Sequence, residues 1–203
     1  MKIQEFPFKN IDEARKFMIQ IRKTLSKEFT KLMSYNIQRQ VIRTEEFERS
    51  KNIACFVGTN GEPDTYLILN QNEKKIFLPK VVSEDRIEFF LYTGRLKEGK
   101  YRIPEPVSEI KVGIDKIDLF LVPGLLFDTR GFRIGYGKGY YDRILVERRP
   151  DAQIFALSWS FQVFEKIPYE KANDIFVQKI FTEIYSIDIS TNSIQFYPPE
   201  RIS

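Results

Sequence analysis

Histidine is absent from the 203 residues of this chain. Without imidazole, neither a Ser-His nor a Cys-His nucleophile pair can form, and a zinc site built on histidine is excluded. Any general base must therefore be Asp, Glu, Lys, Tyr or a group of the substrate. Any bound metal is expected to be a hard cation with oxygen ligands, and magnesium together with phosphates fits best. The absence of histidine is therefore compatible with chemistry on a nucleotide and favours it over histidine-based catalysis.

Cysteine and long apolar runs are scarce as well. Cys55 is the one cysteine, so no internal disulfide can form, and its place in the apolar run 53–57 predicts a buried small hydrophobe. No apolar run is long enough to span a bilayer, and residues 1–10 lack the apolar segment of a signal peptide. We expect a cytoplasmic protein with no membrane partner.

A strong excess of one charge is missing too. The chain has 32 Lys and Arg against 28 Asp and Glu, a net charge of +4, with no basic tail. A mildly basic surface is a weak signal for nucleic acid, and no nucleic-acid-binding motif supports it. We therefore expect small-molecule ligands, no nucleic acid, and a monomer. The length suits one core, hence a single domain over residues 1–203.

Hydrophobic periodicity predicts the order of helices and strands. Apolar residues at helical spacing indicate an amphipathic helix that starts near Ile11, with Asn10 as its N-cap. The other predicted elements are helices at about 29–47, 65–70 and 140–148, strands at 53–57, 75–78, 86–92, 116–122, 152–159 and 179–181, a surface connection at 97–114, a loop at 162–174 and irregular strand pairing from 184. This alternation predicts an α/β fold, a three-layer α/β/α domain with a mainly parallel central sheet.

The most informative segment follows the predicted strand 116–122. Within fourteen residues it places four glycines and four cations, namely Gly131, Gly135, Gly137 and Gly139 with Arg130, Arg133, Lys138 and Arg143. Glycines let backbone N–H groups approach a ligand closely, and cations match the charge of phosphate oxygens. The P-loop pattern fails because Lys138 precedes Gly139, and the dinucleotide fingerprint fails because Tyr140 replaces its third glycine. We favour a phosphate-binding loop over a plain surface turn, at the carboxyl end of a strand.

Residues 117–142 also resemble the signature of the 5-formyltetrahydrofolate cyclo-ligase family, also called methenyltetrahydrofolate synthetases. The resemblance extends in order and spacing from about Arg15 to Glu183. Its further segments are residues 62–65, 77–79, 103–106, 161–162, 167–168, 173–174 and 182–183. It implies an ATP-driven ring closure, in which the formyl oxygen of 5-formyltetrahydrofolate takes the γ-phosphoryl group, N10 attacks the activated carbon, and phosphate leaves to give 5,10-methenyltetrahydrofolate. Such chemistry asks mainly for positioning and charge stabilisation.

The resemblance also implies roles for individual residues, with ATP and Mg²⁺ as cofactors. The ATP-binding set is Arg15, Arg133, Gly135, Tyr136, Gly137, Lys138, Gly139, Tyr140 and Tyr141, and the catalytic set is Lys138, Arg133 and Tyr140. Lys138 would offset charge that develops during transfer. Asp142 and Asp174 would hold magnesium. The residues alone leave alternatives, since Asp142 also suits the start of a helix and Asp174 also suits a turn.

The implied folate-binding residues are Val57, Glu62 and Tyr140. A carboxylate such as Glu62 can accept two parallel N–H bonds from an aminopyrimidine edge. The preceding turn fits a solvated acid equally well. Tyr140, Tyr141 and Trp159 could stack on a pterin, or only pack in the interior.

One position departs from the family pattern. The family has a lysine where this chain has Ile11, so one phosphate contact is missing unless Lys9 supplies it. This departure keeps open a non-catalytic relative that binds nucleotide or folate. A third alternative is a basic RNA-associated protein, whose mark would be steep salt dependence of binding.

Overall fold

The computed structural model describes residues 3–197. The helices in this range are α1 (Ile11–Thr24), α2 (Lys27–Ile42), α3 (Glu45–Arg49), α4 (Tyr66–Leu69) and α5 (Tyr140–Leu145). The strands are β1 (Asn52–Ala54), β2 (Lys75–Val81), β3 (Ile87–Leu91), β4 (Leu96–Glu98), β5 (Pro104–Pro106), β6 (Lys111–Val112), β7 (Leu119–Val122), β8 (Leu126–Asp128), β9 (Arg133–Ile134), β10 (Gln153–Leu157), β11 (Val163–Phe164), β12 (Lys179–Phe181), β13 (Tyr185–Asp188) and β14 (Ser193–Phe196). None of the helices found between residues 3 and 197 could cross a membrane.

Side-chain caps set the starts of the N-terminal helices. Asn10 accepts a 2.9 Å hydrogen bond from the Glu13 N–H, which confirms the predicted N-cap of α1. Ser26 caps α2 in the same way, so this helix begins before the predicted residue 29. It ends at Ile42, and Thr44 caps the separate helix α3. The prediction of one helix over 29–47 was therefore wrong.

The central sheet has nine strands in the order β14-β13-β12-β10-β7-β1-β2-β3-β6. Its five inner strands, from β12 to β2, run parallel, and two antiparallel strands extend each edge. The mainly parallel α/β architecture is thus confirmed. The predicted irregular pairing from residue 184 is instead a regular hairpin of β13 and β14.

Alternating side chains bury both faces of this sheet. Ile53 shares a buried cluster with Ile37 of α2 on one face, while Ala54 shares another with Ile144 of α5 on the other. Helices on both faces give the predicted three layers. Cys55 is buried beneath the α2 layer, and burial raises the pKa of its thiol to about 12, so it is the inert small hydrophobe that the sequence indicated.

Helix α1 packs against a smaller sheet. Strands β11, β8 and β9 form this sheet, in a region where the sequence predicted only loops. Ala14 and Met18 of α1 share a buried cluster with Leu126, Ile134 and Phe164. This packing holds α1 beside the segment that leads into α5.

The predicted surface connection 97–114 contains strands. β4 and β5 form a separate two-stranded hairpin, here called the flap (residues 96–106), and β6 pairs with β3. Pro104 and Pro106 suggested a loop, but proline is tolerated in such an edge strand. Pro79 likewise does not end β2, because the neighbouring strand β1 stops at Ala54, level with Phe77.

The carboxyl ends of neighbouring strands position the candidate site. β1 and β7 pair in parallel, so the segments that follow them leave the sheet at the same edge. Residues 55–62 follow β1. Residues 123–139 follow β7 and include the β8–β9 hairpin. This edge is where ligands bind in open α/β sheets.

Candidate active site

Residues 135–139, here called the glycine loop, connect β9 to α5. Gly137 has φ +96° and Gly139 has φ +65°, a backbone region that residues with a side chain rarely adopt. Gly139 is the residue before the first turn of α5. These two glycines keep the loop narrow and leave Tyr136, Gly137 and Lys138 exposed.

Arg15 reaches the glycine loop from α1. Its Nε donates a 3.0 Å hydrogen bond to the carbonyl oxygen of Gly135. A Cβ at Gly137 would lie 3.4 Å from the Arg15 guanidinium carbon. Arg15 also pairs with Asp12 at 3.0 Å. The structure therefore brings together two segments, about 120 residues apart, that the sequence assigned to ATP.

Arg133 and Asp142 form an ion pair at the base of the glycine loop. Nη2 of Arg133 lies 2.6 Å from Oδ1 of Asp142, and Nη1 donates to the Pro123 carbonyl at 3.4 Å. The Arg133 Nε is buried and has no hydrogen-bond partner within residues 3–197. The Asp142 side chain keeps 31% of its surface exposed. A largely desolvated cation thus stands beside a carboxylate that ligands can still reach.

Lys138 and Tyr140 face the flap. The Lys138 ammonium is exposed and lies 5.8 Å from the centroid of the Tyr101 ring at the flap tip. Tyr140 donates to the Glu84 carbonyl at 3.0 Å, and its hydrogen bond with Tyr101 raises the pKa of Tyr140. Sequence reasoning missed Tyr101, because the flap was predicted to be a featureless connection.

Glu62 is a buried acid, so the alternative of a solvated turn residue is wrong. One carboxylate oxygen, Oε2, accepts from the backbone N–H of Thr59 at 3.0 Å and from its hydroxyl at 3.3 Å. The other, Oε1, accepts from the Tyr136 hydroxyl at 2.8 Å. The Tyr136 side chain therefore contacts Glu62, and burial raises the pKa of its hydroxyl well above the usual range.

Arg22 is a charged residue of this site that sequence reasoning missed. Its side chain is 1% exposed, and its Nη2 lies 3.5 Å from Oε1 of Glu62. Nε donates to the Asn60 carbonyl at 3.1 Å and Nη2 to the Thr59 carbonyl at 3.0 Å. A signal was available, since Arg22 lies two helical turns after Arg15 and interrupts the buried side of α1.

The remaining residues predicted to contact folate differ in their surroundings. Val57 is partly buried and packs at the edge of the α2-side core. Tyr141 is partly buried, and desolvation raises the pKa of its hydroxyl. Trp159 is completely buried, and its Nε1 donates to the Gly61 carbonyl at 2.7 Å. Trp159 therefore packs in the interior and offers no ring face for stacking.

Asp174 lies in a tight turn. Its carboxylate accepts a hydrogen bond from the Lys171 N–H, and its own N–H donates to the Lys171 carbonyl. Within residues 3–197, no group of three or more His, Cys, Asp or Glu side chains is placed to hold a metal ion. The contacts of Asp174 match the turn alternative, while Asp142 lies beside the loop.

Known proteins share this fold and this order of segments. A family model described as the 5-formyltetrahydrofolate cyclo-ligase family matches residues 9–183. The 5-formyltetrahydrofolate cyclo-ligase of Mus musculus is 26% identical over 178 residues, which cover 79% of this chain and 87% of that protein.

Two solved structures are also similar. The 5,10-methenyltetrahydrofolate synthetase of Aquifex aeolicus superposes with a TM-score of 0.79 at 30% identity, covering 94% of this chain and 98% of the other. The enzyme of that name from Mycoplasma pneumoniae superposes with a TM-score of 0.69 at 23% identity, over 85% of this chain and 98% of the other, and shares the fold. With a family model matched over 175 residues, from 9 to 183, the chain belongs to the 5-formyltetrahydrofolate cyclo-ligase family.

Proposed function

We propose that this protein converts 5-formyltetrahydrofolate to 5,10-methenyltetrahydrofolate in a reaction that requires ATP and Mg²⁺ and releases ADP and phosphate. In the first step a bond forms between the γ-phosphorus of ATP and the formyl oxygen, and ADP leaves. In the second step N10 attacks the formyl carbon and loses its proton. The carbon–oxygen bond then breaks with release of phosphate, which gives the methenyl bridge.

The observation that carries this proposal is the hydrogen bond between Arg15 and Gly135. It holds a guanidinium against a loop whose backbone is shaped by glycines, next to the buried cation of Arg133. Lys138 adds an exposed ammonium on the same loop. Three cations around exposed backbone N–H groups can bind a triphosphate and offset the charge that develops on the transferred group. A side chain at Gly135 or Gly137 would meet the guanidinium of Arg133 or Arg15, so glycine at both positions keeps these cations open to phosphate oxygens.

Asp142 suits a magnesium ion in this arrangement. Magnesium in phosphoryl-transfer sites is held by one or two carboxylates together with phosphates and water. Oδ1 of Asp142 pairs with Arg133, and the remaining exposed surface of the carboxylate faces solvent beside the loop. When bound, the ion would neutralise phosphate charge. We assign Asp142 as the first ligand, with Asp174 as a second ligand that would have to leave its turn.

Folate is expected where Tyr136 of the glycine loop meets Glu62. Glu62 is a buried carboxylate with its charge balanced by Arg22, and such a group binds the N–H donors of an aminopyrimidine ring strongly. Val57 would line this ring pocket. Tyr140 and Tyr141 are the first residues of α5, directly after the glycine loop, and Tyr140 would contact the reacting formyl group.

An absorbance assay tests the proposal directly. Purified protein with Mg-ATP and 5-formyltetrahydrofolate should show growth of the methenyl-folate band, and omission of ATP should abolish it. Lys138→Ala should lower turnover by about 100-fold or more, since one charge-stabilising donor typically contributes that much. Lys100→Ala is the matched control, because the Lys100 ammonium lies 5.5 Å from the same Tyr101 ring but on the flap. Near-normal turnover in Lys138→Ala would refute the role of the loop.

One observation favours a second candidate, a nucleotide- or folate-binding relative without turnover. Ile11 is partly buried and packs into the cluster that holds α1, so it offers no cation where the family has lysine. Lys9 is exposed, and its N–H donates to Glu13 at 2.9 Å. ATP binding in calorimetry without growth of the methenyl band would support this candidate. The monomeric state, the cytoplasmic location and the absence of nucleic acid and membrane partners stay predictions.

A further inference from the structure

A buried acceptor and a buried donor lie side by side beneath Tyr136. The acceptor is Oε1 of Glu62, which takes the Tyr136 hydroxyl at 2.8 Å. The donor belongs to Arg22, whose guanidinium carbon lies 5.6 Å from the centroid of the Tyr136 ring. One tyrosine therefore covers both groups.

Arg22 has more donors than the fold uses. Its Nε and Nη2 bind the Asn60 and Thr59 carbonyls, but its Nη1 is buried and has no hydrogen-bond partner within the described part of the chain. An unpaired N–H on a buried cation is unfavourable. If Arg22 only held the turn before Glu62 in place, its Nε and Nη2 would be sufficient. The third nitrogen is therefore available to an acceptor that the protein itself does not supply.

Tyr136 is placed to move aside. It stands between Gly135 and Gly137, and its side chain is 46% exposed. Gly137 already has φ +96°, so the chain on that side has the conformational freedom of glycine. Rotation of Tyr136 would uncover Oε1 of Glu62 and the guanidinium of Arg22 without opening the core.

We propose that Arg22 determines ring specificity: together, Oε1 of Glu62 and Nη1 of Arg22 bind the adjacent N–H and C=O groups of a 2-amino-4-oxopyrimidine ring, in place of the Tyr136 hydroxyl. The N3–H donates to the carboxylate, and the 4-oxo group accepts from the guanidinium. A 4-amino ring would present a donor to Nη1 and leave it unpaired, and its N3 would lack the hydrogen that Glu62 accepts; a site with buried polar groups rejects such an analogue strongly. The inference rests on the proposed function, because it assigns part of the folate pocket.

Two pteridines that differ at position 4, and with it in whether N3 carries a hydrogen, test the inference. Folic acid carries the 4-oxo group and aminopterin the 4-amino group, and the dissociation constant of each can be measured by calorimetry without ATP. Arg22→Met should weaken folic acid by about 10-fold or more, the usual effect of removing a hydrogen bond to a charged group. It should weaken aminopterin much less. Arg22→Lys, which keeps a cationic donor, should recover part of the preference.

Kinetics separate this role from a merely structural one. In Arg22→Met the KM for 5-formyltetrahydrofolate should rise while the KM for ATP stays unchanged. The control is Arg149→Met, which removes another arginine–carboxylate pair, 2.7 Å from Asp118, at the amino ends of the parallel strands. It should change neither constant. Equal weakening of the two pteridines, or a parallel rise of both KM values, would limit Arg22 to holding the turn and overturn the inference.

If Arg22→Met does not fold, folic acid binding by Tyr136→Phe tests the inference instead. It keeps the ring but removes the hydroxyl that competes for Glu62, so folic acid should bind several-fold more tightly. Unchanged or weaker binding would overturn the inference. The proposed function is judged separately: a wild-type protein that prefers the 4-oxo ring but forms no methenyl product refutes the proposed turnover and leaves the ring specificity standing.

Discussion

The Nε of Arg15 donates to the Gly135 carbonyl oxygen at 3.0 Å, which ties the first helix to the glycine loop. Gly135 sits directly after β9, and the small sheet under it packs on the same helix through Ala14 and Met18. The position of the guanidinium is therefore fixed by buried packing, while 27% of its side chain stays exposed to a ligand. A cation held in this way needs little reordering when phosphate binds.

We expect Arg15→Ala to raise the KM for ATP by about 10-fold, the effect of losing one hydrogen bond to a charged group. The KM for 5-formyltetrahydrofolate should change little, because Glu62 pairs with Arg22, which lies about two helical turns from Arg15 on α1. Initial rates at varied ATP and at varied folate give both constants. Lys16→Ala removes the neighbouring exposed cation of the same helix and serves as the control. A change confined to the folate KM would contradict the assignment.

Asp142 and Asp174 should respond differently to loss of charge. Asp142→Asn removes the carboxylate beside Arg133. The Mg²⁺ concentration that gives half-maximal turnover should therefore rise by about 10-fold or more, as expected for a metal-site residue. Asp174→Asn keeps an oxygen that can still accept from Lys171, so its turn should persist. Its magnesium requirement should rise by a smaller factor. Titration of Mg²⁺ at saturating ATP measures both requirements.

Each variant has its own contrary outcome. An unchanged magnesium requirement in Asp142→Asn would remove that residue from the metal site. The same result in Asp174→Asn would restrict that residue to its turn. Thermal unfolding in the presence of a chelator checks that neither variant has simply lost stability.

The sequence predicted the parts of this structure that local pattern controls. The N-cap at Asn10, the strand before Pro123 and the helix start at Tyr140 depend on residues within a few positions, and all three are present. The family signature then indicated the loop residues, whose roles stay predictions. Helix 29–47 failed because the prediction overlooked Thr44, an N-cap residue followed by acidic residues that starts the separate helix α3. The flap failed because its prolines also suit a loop.

What the sequence did not predict depends on contacts between distant segments. Arg22 and Glu62 are 40 positions apart and meet only because α1 packs across the turn that follows β1. The hydroxyl of Tyr136 reaches Glu62 over 74 positions. No periodic pattern or motif spacing in the sequence indicates either contact. The arrangement of the folate side therefore required the folded structure.

Gly131 illustrates a glycine needed by the fold. It was counted with the phosphate-loop glycines, yet a Cβ there would lie 2.3 Å from the Val177 carbonyl oxygen, and its φ is +87°. Gly94 has φ +84° with no atom within 4 Å of its Cβ position. We expect Gly94→Ala to lower the free energy of unfolding by about 1–2 kcal/mol from backbone strain alone. Gly131→Ala should lower it by a further 1–3 kcal/mol or so, from the clash.

Urea unfolding of the two alanine variants tests this comparison. The glycines share their backbone region and differ in their surroundings, so each serves as the control for the other. If both variants lose the same free energy of unfolding, the backbone at Val177 moves away from the added Cβ at no cost. Catalytic constants measured below the unfolding transition should be unchanged in Gly94→Ala.

Acid should remove the contribution of the ion pair between Asp188 and Lys179. Partial burial acts to raise the pKa of Asp188, but the Ser190 hydrogen bond and the Lys179 ammonium, 3.2 Å away, hold it below its usual value. A carboxyl whose folded-state pKa is depressed stabilises the fold above its unfolded-state pKa of about 3.9, and that contribution disappears as pH falls through the folded-state pKa. Asp188→Asn should therefore lower the free energy of unfolding at pH 7 by about 0.5–1 kcal/mol.

The deficit of Asp188→Asn should shrink as pH falls below about 4, because the unfolded wild-type carboxyl takes up its proton first and the folded one follows at lower pH. Urea unfolding at pH 7 and pH 3 measures the difference at both ends. Asp151→Asn, which alters a well-exposed carboxylate, should stay within about 0.5 kcal/mol of the wild type at both values. A deficit of constant size would mean that the variant disturbs the β13–β14 turn by some route other than charge. A contribution from the charge of Asp188 must fall as its carboxyl takes up a proton.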